Sequence, residues 1–399
     1  MKLGLEVLLE DKKLLNQLKK KRCALVCHPA SVDQNLKHSL DLLAPKINIT
    51  CAFGPQHGVR GDKQDNMVES DDFLDSELKI PIFSLYGKVR RPTPEMLSHC
   101  DVVIFDLQDL GCRIYTFITT LLYIMEECAQ QNKEVIVLDR PNPAGREVEG
   151  FSLISGWESF VGAAPIPMRH GLTVGELALY FKEFYKLSLS LKVIKMKGYS
   201  LSKKPGYGWD MSRTWINPSP NAANLNMARA YAGTVLIEGT TLSEGRGTTR
   251  ALEVIGAPDI DFKEVLVRMK KIGPQWLKGC IIREVYFEPT FHKHAGKLCH
   301  GIHIHTDNTS YNPTKFKPFR IVALMLKAIR EIYPQYPIYR DFAYEYVFDR
   351  LAFDVINGGP ALREWIENPK ATAASLDKQL QKDEAAWKRQ FKKYFLYNN

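Results

Sequence analysis

Along the chain, hydrophobic positions gather in short unbroken runs separated by longer stretches with helical spacing. The runs lie at about 22–27, 48–53, 80–85, 101–107 and 134–139. Between them, the stretch from residue 28 to about Leu43 and the stretch Thr116–Gln131 carry apolar positions at helical period. Uniformly apolar strands alternating with helices predict βαβ units and a mostly parallel sheet covered on both faces. The first half therefore reads as a Rossmann-like α/β domain.

The second half is patterned differently. Gly and Pro become frequent over 150–165, which places a boundary between a Rossmann-like domain over 1–160 and a smaller mixed α/β domain over 161–399. Thr173–Lys186 is amphipathic, with Thr173 as N-cap and Glu176 at capping-box spacing. Strands are expected near 191–196, 232–237, 279–287 and 299–306, and helices near 316–331 and 373–394.

Composition narrows the function classes. A hydrophobic content of 45% and a charged content of 25% fit a globular protein, and 399 residues exceed one ordinary core. The net charge of +9 favours an anionic partner, such as a carboxylate-bearing substrate. No nucleic-acid motif accompanies the charge, so no nucleic-acid partner is expected. The N-terminus lacks the basic start and apolar run of a signal peptide, and no stretch is apolar enough to span a membrane. Eight cysteines without a CxxC pair read as buried thiols of a reducing compartment, so a cytoplasmic location and no membrane partner are expected. Neither G-x-G-x-x-G after the first strand nor G-x-x-x-x-G-K-[ST] occurs, and no cofactor is expected.

Candidate chemistry concentrates in glycine- and proline-punctuated loops: GPQHGVRG (54–61), DLQDLGCRIYTF (106–117), DRPNPAG (139–145), PMRHG (167–171), WINPSPNAANL (215–225) and EGTTLSEGRGT (238–248). Neutral hydrogen-bonding side chains beside arginines suit a hydroxyl-rich ligand that also carries an anion, as a sugar acid does. Asp106 and Asp109 follow a strand end, where open α/β sheets place catalytic groups, but Asp106 can equally cap a turn or pair with Arg113. Glu238 and Glu244 flank a glycine loop and can reach a cleft or form ion pairs with Arg246 or Arg250. His57 suits proton shuttling or simple bracing of its loop. The stretch HKHAGKLCHGIHIH (292–305) sets His303 and His305 on one strand face near Cys299 and His300, yet a fourth ligand is not evident and no metal is expected.

These motifs in this order, together with FEPTFHKHAGKLCHG (287–301), resemble the exo-β-N-acetylmuramidase family over about residues 1–310. The resemblance implies a Rossmann-like N-terminal domain, a smaller C-terminal domain and an active-site cleft between them. It also implies release of N-acetylmuramic acid from the non-reducing end of peptidoglycan fragments. The family pattern at the first loop usually reads GPEHG, with its glutamate as catalytic carboxylate; here Gln56 stands in that place. An amide cannot transfer a proton at neutral pH. Three readings follow: another carboxylate serves, the amide only orients substrate, or the chain is a non-catalytic binding or sensing protein.

The candidate catalytic set is thus Gln56, His57, Asp106, Asp109, Glu238 and Glu244. Arg60, Arg113, Arg169 and Arg246 are candidates for the lactyl carboxylate of muramic acid. Gln108, Tyr115, Asn142, His170, Asn217, Ser219 and Asn221 are candidates for hydroxyl and acetamido groups, though Asn and Ser in such loops also stabilise turns. The leading expectation is a hydrolase for small recycled or imported muropeptide sugars, with a saccharide or muropeptide as substrate and the oligomeric state left open.

Overall fold

A computed structural model describes residues 1–59 and 69–397. The five apolar runs become β1 (Cys23–Val26), β2 (Ile49–Gly54), β4 (Pro81–Ser84), β5 (Val102–Phe105) and β6 (Glu134–Leu138), and a short exposed strand outside them, β3 (Phe73–Leu74), joins the edge. A hairpin of β7 (Glu149–Ser152) and β8 (Pro167–Arg169) then precedes β9 (Ser190–Ile194). The main sheet runs β3-β4-β2-β1-β5-β6-β9, parallel except for the edge strand β3. Its six parallel strands follow the doubly wound order, stepping outward one way from β1 and then the other.

Central strands β1 and β5 are buried at every position, which is why they show no polar alternation. Ala24, Val26, Val103 and Phe105 face one layer with helices Phe117–Gln130 and Val174–Phe184. Cys23, Leu25, Val102 and Ile104 face the other, with the short helices Gly4–Glu10 and Lys12–Leu18. The expected capping box forms: Thr173 Oγ1 accepts from the Glu176 amide at 3.3 Å and Glu176 accepts from the Thr173 amide at 2.9 Å. Strand β9 pairs with β6, so the sheet takes its last strand from beyond residue 160.

The second half builds a three-stranded antiparallel sheet from β10 (Val254–Ala257), β11 (Ile281–Phe287) and β12 (Cys299–His305), with β12 central. Helices Leu225–Thr234, Phe262–Ile272 and Pro318–Ile332 pack beside it. The long helix Ala373–Phe391 returns to the first half, where Trp387 Nε1 donates to the His170 carbonyl at 2.8 Å.

Two expected elements differ. The stretch 232–237 is helical: Leu225–Thr234 runs directly into a 3₁₀ turn, Val235–Gly239. Asn224 caps it by accepting from the Met227 amide at 2.9 Å, and the segment is buried all round. A helix with no polar face loses its 3.6-residue signature and reads as a buried strand. After β1, only Ser39–Leu43 is helical; residues 28–38 are loop and turn, where Asp33 accepts from the amides of Asn35 and Lys37. No helix of the described residues is long and apolar enough to cross a membrane. The cysteines are free, all buried except the half-buried Cys280.

Candidate active site

Strand β2 ends at Gly54 and hands the chain to a tight turn closed by a Gly58 N–H···O=C Pro55 bond of 2.9 Å. His57 sits in this turn at φ +71°, a conformation that non-glycine residues seldom adopt. Gln56 is buried with its amide fixed at both ends. Thr116 Oγ1 donates to Gln56 Oε1 at 2.8 Å, and Gln56 Nε2 donates to Glu345 Oε1 at 3.3 Å. Thr116 immediately precedes helix Phe117–Gln130 and makes no capping bond, which leaves its hydroxyl for this task. Next to it, the Tyr115 ring packs edge-on against Tyr231 of helix Leu225–Thr234, 5.9 Å between centroids.

Across from the Gln56 loop, the 3₁₀ turn after that helix presents Glu238. Its carboxylate accepts from Arg246 Nη2 at 2.7 Å and from the Tyr344 hydroxyl at 2.6 Å. Arg246 Nε also donates to Glu244 at 3.0 Å, and Glu244 meets Lys293 Nζ at 2.7 Å and His292 at 3.4 Å. Burial opposes charge on Glu244, but Lys293, Arg246 and His292 overcome it and hold the carboxyl at about 2.

The segment after Pro337 runs beside residues 239–241, through a Thr241 N–H···O=C Ile338 bond of 2.8 Å and an Arg340 N–H···O=C Gly239 bond of 3.1 Å. It then turns tightly at Tyr344–Val347, which exchange backbone bonds of 3.2 and 3.0 Å. Both central residues, Glu345 and Tyr346, have positive φ, +46° and +68°. This geometry belongs to mirror-image hairpin turns, where Asn and Gly are usual. It drives Glu345 inward, 4% exposed, onto Gln56 and onto the Tyr86 hydroxyl, which donates to Oε2 at 2.7 Å. Arg90 stacks over both Tyr86 and Tyr346, at 4.1 and 4.6 Å from the ring centroids, and pins the turn to the first half.

The result is one polar pocket. Gln56, His57, Tyr115 and Thr116 line it from the first half; Ser219, Asn221, Tyr231, Glu238, Arg246, Tyr344 and Glu345 line it from the second. Two carboxyl groups, an arginine and several hydroxyl and amide groups converge there, the inventory of a saccharide site. Family models for the N-terminal and C-terminal domains of exo-β-N-acetylmuramidase NamZ match residues 23–226 and 229–397. The chain belongs to the NamZ family.

The family likeness extends well past residue 310, through Glu345 and into the C-terminal helix. The chain is similar to the peptidoglycan β-N-acetylmuramidase NamZ of Bacillus subtilis (strain 168), 39% identical over 400 residues, spanning 99% of this chain and 91% of that protein. Crystal structures of two DUF1343 family proteins from Bacteroides fragilis NCTC 9343 share its fold. One has a TM-score of 0.83 at 31% identity, the other 0.74 at 28%; each alignment covers 100% of this chain and 99% of that one.

Within this NamZ scaffold, the cavity brings together Gln56, His57, Tyr115, Ser219, Asn221, Glu238 and Arg246 of the residues expected from sequence. Arg60 lies outside the described residues. The others occupy different places. Asp106 is fully buried in a bidentate pair with Arg140, at 2.6 and 2.9 Å. Asp109 accepts from the Gly111 amide at 2.7 Å and lies 3.3 Å from His170, whose Nδ1 accepts from the Leu172 amide. Gln108 donates to the carbonyls of Asp109 and Pro141. Asn142 bridges the Leu172 carbonyl and the Ala144 amide, and Arg169 serves the carbonyls of Ala144 and Phe316.

Arg113 donates to four carbonyls, those of Phe151, Ile166, Ile356 and Asn357, and burial lowers its pKa to about 10. Buried irregular loops leave carbonyls without ladder partners, and these side chains satisfy them. Glu244 lies behind Arg246, away from the cavity wall, and Asn217 is exposed two residues before Ser219. Sequence reasoning missed Thr116, Tyr231, Tyr344 and Glu345. In the far C-terminal part, the His303 and His305 rings lie 3.7 Å apart, His303 sits 3.4 Å from Glu253, and His300 stacks on Tyr286. Among the described residues, no group of three His, Cys, Asp or Glu side chains is placed to hold a metal ion.

Proposed function

We propose that this chain is an exo-β-N-acetylmuramidase that hydrolyses the bond from a non-reducing-end N-acetylmuramic acid residue in small peptidoglycan-derived saccharides. One observation carries the reading: two buried carboxyl groups, Glu238 and Glu345, share one polar cavity with Arg246 on a NamZ scaffold. Glycosidases need a pair of carboxyl groups about the scissile bond, and this pair supplies what Gln56 cannot. Glutamine at position 56 therefore gives no support to a binding-only protein.

Arg246 is the candidate partner of the lactyl carboxylate because, of the expected arginines that are described, it lines the cavity, where it also pairs with Glu238 and Glu244. Ser219, Asn221 and Tyr115 line the cavity, which supports them as partners of pyranose hydroxyl and acetamido groups. Free buried cysteines support a reducing, cytoplasmic setting, where the substrates are recycled muropeptide sugars rather than intact wall. The test is release of N-acetylmuramic acid from a chromogenic β-muramide. Absence of turnover at high enzyme concentration overturns the reading.

A further inference from the structure

We propose that Glu345 is the proton donor to the glycosidic oxygen and that Gln56 is its positioning residue. The assignment rests on the glycosidase reading above and names the acid within it. Glu345 takes hydrogen bonds from two neutral donors, Tyr86 at 2.7 Å on Oε2 and Gln56 at 3.3 Å on Oε1. The short bond marks Oε2 as the carbonyl-like oxygen. The long amide contact leaves Oε1 to carry the proton and to turn its O–H into the cavity.

The charges facing this group agree. Tyr86 and Arg90 approach from the first half, with Gln56 and His57 from the β2 loop; Glu238, Tyr344 and Tyr346 approach from the second half. Among the described residues, no Lys, Arg or His forms an ion pair with Glu345, whereas Glu238 is paired with Arg246. Burial, reinforced by the charge of Glu238, pushes the Glu345 carboxyl up, against the hydrogen bonds from Tyr86 and Gln56 and the charge of Arg90. Two carboxyl groups in one site, one ion-paired with an arginine and one with its pKa pushed up by burial, is the kind of arrangement that separates acid from base.

Backbone and sequence point the same way. Two successive non-glycine residues at positive φ are costly, and such strain gathers at functional sites. Gln56 also acquires a reason. A carboxylate there would sit about as close to Glu345 as the amide nitrogen does and would compete for its proton, whereas the amide donates and holds the acid in place.

In the step itself, the bond between the anomeric carbon and the aglycone oxygen breaks and its electron pair goes to that oxygen. The oxygen takes the proton of Glu345. Water completes the hydrolysis at the anomeric carbon, and its released proton restores the Glu345 carboxyl.

The experiment compares wild type with Glu345→Gln on two β-muramides, one with an N-acetylglucosamine aglycone and one with a 2,4-dinitrophenyl aglycone that leaves without protonation. Expected is a loss of kcat on the order of 10²–10⁴-fold for the sugar aglycone and less than about tenfold for the aryl one. The basic limb of the wild-type pH profile disappears in the variant. Gln56→Ala moves that limb to higher pH, because the hydrogen bond it removes favours the charged form. Wild type inert on both substrates overturns the glycosidase reading itself. Equal losses on the two substrates, with the basic limb retained, overturn Glu345 alone. Should Glu345→Gln fail to fold, the Gln56→Ala profile decides, and a limb that stays in place overturns the proposal.

Discussion

Around Glu244 the second half of the molecule concentrates positive charge, whereas Glu345 takes its hydrogen bonds from neutral groups. Glu244 is surrounded by Lys293, Arg246 and His292 and is held at about 2; Glu345 accepts from the neutral Gln56 and Tyr86 among the described residues, and burial with the nearby charge of Glu238 pushes its pKa up. Both are buried glutamates, so burial alone does not decide the direction in which each pKa moves. The neighbours decide it. Glu238 stands between the two corners, paired with Arg246 on one side and bonded to Tyr344, next to Glu345, on the other.

The largest effect expected from breaking this arrangement is at Glu238. Glu238→Gln keeps the shape; its amide oxygen can still accept from Arg246 while its amide nitrogen donates to the Tyr344 hydroxyl, so the fold should survive. Turnover of a β-muramide should nevertheless drop by roughly 10³-fold, about 4 kcal/mol in the barrier. Steady-state kinetics with a thermal melt as control will check it, and a loss below tenfold would remove Glu238 from the chemistry.

Stability against pH comes next. The folded-state pKa of Glu244 lies below its ordinary value of 4.5, so the stability it contributes is present above about pH 4.5 and is lost as pH falls toward about 2. Glu345 tilts the curve the other way. Its raised pKa contributes stability at low pH that fades as pH rises through the folded value. Denaturant titrations should show wild type losing up to about 3 kcal/mol more than Glu244→Gln between pH 5 and pH 2. Parallel curves for the two proteins would mean that the charged corner does not couple to folding.

The legible part of the molecule was its sheet, because β1, β2, β4, β5 and β6 are short, apolar and bounded by loops, and burial on both faces leaves that signal intact. The cavity was half legible. Gln56, Ser219, Asn221 and Arg246 lie in loops that glycine and proline mark, but the same marking drew attention to Asp106, Arg113 and Asn142, whose polar atoms satisfy the loops themselves. Loop polarity reports a need for hydrogen bonds without saying whether the partner is backbone or ligand. Glu345 was hidden for the opposite reason. It lies in FAYEYVF (342–348), which has no glycine, although its turn adopts a conformation that glycine would favour. The stretch 232–237 beside Tyr231 reads as a strand and Glu238 as the start of a loop, since a helix buried all round loses its period, whereas both residues lie on the helix and its 3₁₀ continuation.

The smallest effect is also the one most specific to the neutral corner. Tyr86→Phe removes the 2.7 Å hydrogen bond to Glu345 Oε2 and nothing of the ring that Arg90 stacks on. That bond favours the charged carboxylate, so its loss should raise the Glu345 pKa further. The basic limb of kcat/KM against pH should therefore move to higher pH, while the acidic limb, which belongs to a different group, stays where it is. A structural defect would lower the whole profile without moving either limb. If the basic limb moves to lower pH, Tyr86 is stabilising the neutral acid instead, and the contrast between the two corners must be drawn with the Glu345 proton on Oε2.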